Sequence, residues 1–167
     1  MSDGVRLRRY EPCDAAAAWT LHERALRDAG TDPDDVPGTD DLRDVPGTYL
    51  ADGGEFLVGI DPDAPAAGDR RTRDGALVAM GGFLPGADGA AELRRIRVAP
   101  RCQRRGHGRR LVTELERRAA DRGFERVVAT TAARQRAAVA FYRSMGYDEV
   151  DRTTAGGYEL VRFERRL

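Results

Sequence analysis

The chain of 167 residues has no lysine: its 28 strongly basic residues are all arginine, set against 28 acidic residues for a formal net charge of zero. Without lysine, lysine-based catalysis is excluded, as is a phosphate loop ending in Gly-Lys-Ser or Gly-Lys-Thr. The balanced charge gives no global pull toward nucleic acid or a membrane surface. With only Cys13 and Cys102 present, a disulfide framework is not expected and a reducing cytoplasm is the predicted compartment. No apolar run approaches the ~18 residues of a membrane span, and the opening MSDGVRLRRYEP lacks the apolar stretch of a signal peptide. These absences predict a soluble cytoplasmic protein with no nucleic-acid or membrane partner. The length predicts one domain, 1–167, with a real core. The exclusive use of arginine points to GC-rich coding or a salt-adapted host.

What is present is unevenly distributed. Residues 5–10, VRLRRY, alternate as a first strand. A helix follows with Asp14 as N-cap, Ala15, Ala18, Trp19, His22 and Leu26 at helical spacing, and Gly30 as its stop. From Thr31 to Gly54 the chain is acidic and broken by proline and glycine; it reads as a mobile loop with room for at most one short helix near 40–50. EFLVGID (55–61) and ALVAMGGFLP (76–85) read as the strands of a hairpin joined by a polar loop. In AELRRIRVAP (91–100), Leu93, Ile96 and Val98 break strict alternation, and a bulge at Arg94 and Arg95 would restore one buried face. An amphipathic helix over about 106–122 carries Leu111, Val112, Leu115 and Ala119 on one side and stops at Gly123. A short strand (126–131), a helix over about 135–145 with Phe141, Tyr142 and Met145 inward, and a final hairpin across Ala155-Gly156-Gly157 complete the order.

The strand-to-helix passage RCQRRGHGRR, 101–110, concentrates charge. Between Arg94 and Arg110 stand eight arginines and no acidic residue, which leaves 20 basic against 28 acidic groups elsewhere. Gly106 and Gly108 fall where a helix begins, so unpaired backbone N–H groups and the positive end of the helix dipole face outward, and a phosphate can approach the backbone closely. A dinucleotide fingerprint would need a third glycine and an acidic residue about 20 positions later; neither is present. The run Gln103-Arg104-Arg105-Gly106-His107-Gly108 resembles the pyrophosphate-binding motif of the GNAT acyltransferases. ELRRIRVAPRCQRRGHGRRL is similar to that family's fourth strand, loop and following helix. QRAAVAFYRSMGYDEV, about 40 residues on, resembles its second signature, with Ala138, Tyr142, Gly146 and Tyr147 in the matching places and Gln135 where many members carry Asn.

The resemblance implies an α+β fold, a mixed and mostly antiparallel sheet of about seven strands flanked by about four helices. It implies acetyl-CoA as cosubstrate and direct acetyl transfer in a ternary complex to a primary amine, on a small molecule or a peptide. Backbone groups of Ile96, Arg97 and Val98 would bond the pantetheine arm. Gln103, Arg104, Arg105, Gly106, His107, Gly108 and Arg109 would hold the pyrophosphate, and the Gln135 amide would bond a backbone or pantetheine group. Tyr142 would give the departing thiolate its proton, and Glu92, the only carboxylate on its strand, would be the base. A homodimer through the last hairpin is a further family-level expectation.

Each residue also has a plainer reading. Tyr142 can be core, and Glu92 an edge-strand salt bridge to an arginine. His107 reads as an exposed loop residue, His22 as a helix-face contact with no second ligand at metal spacing, and Cys102 as a bystander of the phosphate site. Residues 28–44 carry seven aspartates against one arginine, which suits a cationic amine or a solvated acidic surface. The other function classes are a non-catalytic CoA-binding module of the same fold and an arginine-rich nucleic-acid binder. The acidic remainder and the lack of an aromatic-basic stacking surface count against the latter.

Overall fold

Two nearly unbroken apolar runs, β2 (Glu55–Asp61) and β4 (Gly75–Pro85), form the middle of a sheet that is packed on both faces. The computed structural model describes residues 4–35, 39–51, 53–63 and 71–167. The sheet also contains β1 (Arg6–Arg9), the two-residue β3 (Arg71–Thr72), β5 (Ala91–Val98), β6 (Arg126–Ala132), β7 (Asp148–Ala155) and β8 (Tyr158–Arg166). Its order is β1-β2-β4-β5-β6-β8-β7, with β3 pairing on β4. Every pairing is antiparallel except β5 with β6. Three α-helices, α1 (Ala15–Asp28), α2 (His107–Asp121) and α3 (Arg136–Ser144), and a π-helical turn at Pro46–Leu50 flank the seven-stranded path. This is the expected mixed sheet with four helices. Among the described residues no helix is long and apolar enough to cross a membrane.

Side-chain alternation divides the core into two layers. Phe56, Val58 and Ile60 of β2 and Val78 and Met80 of β4 pack with Leu21 of α1 on one face. Leu57, Ala79 and Phe83 pack with Leu111 and Leu115 of α2 on the other. Each of the large side chains among these contributes about 1.5–3 kcal/mol by leaving water.

Three expectations are corrected. The stretch 31–54 is not a loose loop where it is described: it forms 3-10 turns at Pro33–Asp35 and Asp40–Arg43 and the π turn, and it buries Leu42, Val45 and Tyr49. Those three residues recur at intervals of three and four, a helical spacing hidden among aspartate, proline and glycine. Residues 36–38 and 52 of that stretch, and 64–70 of the polar hairpin loop, lie outside the described residues. The bulge in β5 sits one residue further along than expected. Met80 faces Arg97 and Gly82 faces Arg94, so Arg95 and Ile96 share the single partner Gly81. Asp14 does stand at the N-cap of α1, but its buried carboxylate bonds Arg8 and the Glu11 N–H and caps no helical N–H.

The parallel pairing of β5 with β6 is short. Only Ala91 with Val127 and Glu92 with Val128 are in register, and beyond them the two strands part. The resulting wedge in the sheet is bounded by the bulge on one side and α3 on the other.

Candidate functional site

The bulge is built from glycine and a left-handed arginine. Arg95 adopts φ 59, and a Cβ on Gly81 would come within 2.4 Å of the Ile96 side chain, so the bare glycine gives Ile96 its place there. Ile96 and Val98 pack toward the α2 side. Arg97 faces Met80, a member of the α1-side core, and antiparallel partners share a face. Arg95 is anchored on that same side by two bonds to Asp41, at 3.0 and 2.8 Å, and Asp41 also accepts the Tyr49 hydroxyl at 2.6 Å. Burial opposes ionisation of Asp41, but the bonds from Arg95 and Tyr49 outweigh it and hold its pKa below the usual carboxylate value. This trio fastens the acidic segment onto β5.

At the other end of β5 the chain enters α2 through Gly106, the N-cap, at φ 84 with no side chain bonding the free N–H groups. Gly108 also sets the packing of two helices. A Cβ there would lie 3.3 Å from Phe141 and 3.6 Å from Val98, so its missing side chain lets the start of α2 press against α3. Arg104 and Arg105 are exposed, with no ion pair among the described residues. Among the described residues Arg109 reaches only Ser144, at 3.4 Å. Arg110 turns away and donates twice to the Val5 carbonyl at 3.1 Å. His107 is not the exposed loop residue the sequence suggested: it opens α2 and is buried, because α2 begins one residue after the left-handed Gly106 and turns this position inward. A groove of about 590 Å³ runs between this helix start and α3, lined by Gln103, Gly106, Gly108, Phe141 and Tyr142. Uncapped N–H groups, unpaired arginines and a groove that a side chain at 108 would narrow together suit a phosphate-bearing ligand.

The groove meets a second cavity in the strand wedge, of about 330 Å³, where Glu92, Arg97, Thr131, Gln135 and Tyr142 converge. Tyr142 lines both spaces and is 7% exposed; its ring packs on Tyr147 and Phe163. Among the described residues its hydroxyl has no hydrogen-bond partner. Burial pushes its pKa up to about 12, against a smaller lowering by Arg97, so the phenol stays protonated at any neutral pH. Glu92 sits at the closed end of the wedge, 29% exposed and 3.5 Å from Arg94. It therefore makes the salt bridge of its plainer reading and faces the cavity as well. The Gln135 side-chain oxygen accepts the Thr131 hydroxyl at 3.1 Å.

Of the wedge-cavity lining, Glu92, Ile96, Arg97, Gln135 and Tyr142 were expected from the sequence; the β6 wall at Thr130, Thr131 and Ala132 was not, nor the anchor that Asp41 and Tyr49 give Arg95 outside the cavity. His22 is fully buried in α1, with its ring 5.6 Å from Trp19. Burial, then Arg97 and Arg95, lowers its pKa to about 4, leaving it neutral. No cluster of three metal-ligating side chains occurs among the described residues.

Comparison with known proteins agrees with this geometry. The model of the acetyltransferase (GNAT) family matches residues 31–147. None of the curated proteins matches the sequence. Among solved structures, an acetyltransferase from Streptococcus agalactiae superposes with a TM-score of 0.81 at 17% identity, covering 99% of this chain and 100% of that one. The yncA structure from Salmonella typhimurium, solved with its cofactor acetyl-CoA, gives 0.73 at 18% identity, covering 98% and 94%. The ribosomal-protein-S18-alanine N-acetyltransferase of Escherichia coli gives 0.70 at 21% identity, covering 97% and 93%.

Proposed function

Because the chain belongs to the GNAT acetyltransferase family, we propose that it moves an acetyl group from acetyl-CoA to a primary amine by direct attack, in one cytoplasmic domain spanning 1–167. The observation that carries this reading is the junction at Tyr142, where the groove with the features of a phosphate site opens into the strand wedge. A donor bound by its phosphates at α2 can reach through the groove to an acceptor entering the wedge.

The residues fit acetyl-CoA. The α2 start, with the arginines of 104, 105 and 109, holds the pyrophosphate; Gln103 lines the groove between α2 and α3, and Gln135 lines the wedge cavity into which it opens. The bulge takes Ile96 out of regular pairing with β4, Arg97 and Val98 stay opposite Met80 and Ala79, and among the described residues β6 pairs with none of the three on the other side. Backbone groups on that open side bond the pantetheine arm, and an N–H there can donate to the thioester carbonyl as negative charge builds on it. Bound acetyl-CoA supplies the activated acetyl group.

An acceptor amine of pKa ~10.4 is neutral in only about one molecule in a thousand at neutral pH. Glu92, within the cavity wall, accepts the amine proton directly or through water. Tyr142, protonated and unpartnered, donates to the sulfur as the thiolate departs. Of the carboxylates of 28–44, Asp41 is held by Arg95, and Asp32 and Asp44 accept backbone N–H groups of their own turns. Incubating the protein with acetyl-CoA and a panel of amines, amino acids and peptides, and reading products by mass spectrometry, tests the proposal. Acetylated amine that depends on active protein supports it; acetyl-CoA returned intact from every mixture refutes it.

A further inference from the structure

Arg97 is the anomaly of the wedge. Arg8, Arg95, Arg118 and Arg126, similarly sheltered, each meet a carboxylate within 3.2 Å. Arg97 makes no ion pair among the described residues. Its one hydrogen bond goes to the neighbouring Ile96 carbonyl at 3.1 Å, and its Nε is buried without a partner. The nearby carboxylate Asp41 is already engaged by Arg95 and Tyr49. Across from Arg97, His22 is neutral and also unpartnered. A sheltered guanidinium without a counter-charge is costly to a fold, and a chain with 28 acidic residues had carboxylates to offer it.

The position of this charge points to the acceptor. Arg97 lines the wedge cavity with Tyr142, and it lines a neighbouring cavity of about 380 Å³ between the end of α1 and the start of α3, where Arg134 and Arg136 add further positive groups. It follows Ile96, whose backbone borders the thioester in the proposed mechanism, and it projects to the α1 face, away from the α2-side layer. The donor's phosphates have their own arginines at α2. Cavities of this volume are at the small end for ligand sites.

We propose that the Arg97 guanidinium receives a carboxylate carried by the acceptor, which makes the acceptor a free amino acid. In an α-amino acid the amine and carboxylate are one carbon apart, as required of a group that must present nitrogen beside residue 96 and charge to the side chain of residue 97. The inference rests on the acetyl-transfer reading for its context and deepens it by naming the substrate class.

Matched pairs test it. The free amino acids and their carboxamides are compared by release of CoA thiol, with each rate corrected for the fraction of neutral amine, because amides have less basic amines. The acid should exceed its amide by about ten- to a hundredfold in kcat/KM, the range for a hydrogen bond to a charged group. In Arg97→Met that preference should collapse toward one, mainly through the acceptor KM, and Arg97→Lys should retain part of it. Equal rates for acid and amide in the wild type, or an Arg97→Met variant that slows both members of each pair alike, would overturn the proposal. Calorimetric titration of the wild type with N-acetyl amino acids and N-acetyl amino amides gives the same comparison without turnover or a variant. If acetyl-CoA is never consumed, the acetyl-transfer reading fails, while preference for the N-acetyl acid in this titration still supports the carboxylate site and its absence overturns it.

Discussion

Replacing Tyr142 with phenylalanine removes one oxygen from a ring held by Tyr147 and Phe163. The hydroxyl bonds nothing among the described residues, so the folded state loses no hydrogen bond, and stability should change by less than about 0.5 kcal/mol. The effect on chemistry follows from the pKa. With the phenol at about 12 and a CoA-like thiol at ~8.5, a completed transfer to a free thiolate is uphill by 3 to 4 pKa units, or about 5 kcal/mol. The useful contribution is therefore a hydrogen bond donated while negative charge grows on the sulfur, lost in full when the oxygen goes. Turnover should fall about ten- to a thousandfold, the smaller loss applying where water can reach the sulfur. The KM for acetyl-CoA should stay within about twofold, since the groove keeps its shape. The pH–rate profile of the wild type should also show no loss of activity attributable to this phenol below about pH 11, because it remains protonated there. Steady-state kinetics on the true acceptor, with thermal melts of both proteins, decide the matter. A phenylalanine variant that turns over at the wild-type rate would make Tyr142 a core residue and refute the role.

Glu92→Gln should slow transfer and move the pH optimum upward, toward conditions in which the amine deprotonates unaided; an unchanged profile would leave Glu92 only its salt bridge to Arg94. Gly108→Leu should weaken CoA binding at least about tenfold by driving Phe141 away from the α2 start, and Gly106→Val should do so by straining the left-handed cap at a cost of about 1–2 kcal/mol. Arg110→Ala should change CoA affinity less than either, because its guanidinium holds Val5, and calorimetry ranks the three. Glu55 is buried at 0% exposure with Arg9, Arg118 and Arg122; burial alone would raise its pKa, but the bonds from Arg9 and Arg118 bring it below the usual value. Its stabilisation is thus present above the unfolded pKa of ~4.3 and lost as pH falls through the folded value. Glu55→Gln should cost about 2 kcal/mol at pH 7 after allowance for the partly exposed arginines, and the gap in urea midpoints should narrow as pH falls below the unfolded value of ~4.3.

The helix start within 103–108 was legible because its geometry is local: a glycine at a left-handed cap needs no distant partner. The bulge was legible for a similar reason, since Leu93, Ile96 and Val98 cannot share one face in a regular strand. Its placement missed by one residue because Gly81, on the neighbouring strand, decides where the extra residue fits. The segment around Leu42, Val45 and Tyr49 was misread from composition, its proline and glycine masking three anchors at helical spacing. His107 was misread because its flanking glycines suggest a loop, whereas the helix begins at that residue. Least legible was the fate of the arginines of β5. Arg95 finds Asp41 54 positions away, and among the described residues Arg97 finds no carboxylate, a division fixed by which face of the sheet the folded acidic segment covers.

The central claim is that the α2 start and the strand wedge form one site for acetyl-CoA. Calorimetric titration of the protein with acetyl-CoA at low and high ionic strength tests it most directly. The account predicts saturable one-to-one binding that weakens as salt screens the arginine-phosphate attraction over a Debye length of about 10 Å at 0.1 M. Absence of saturable binding at either ionic strength would contradict it.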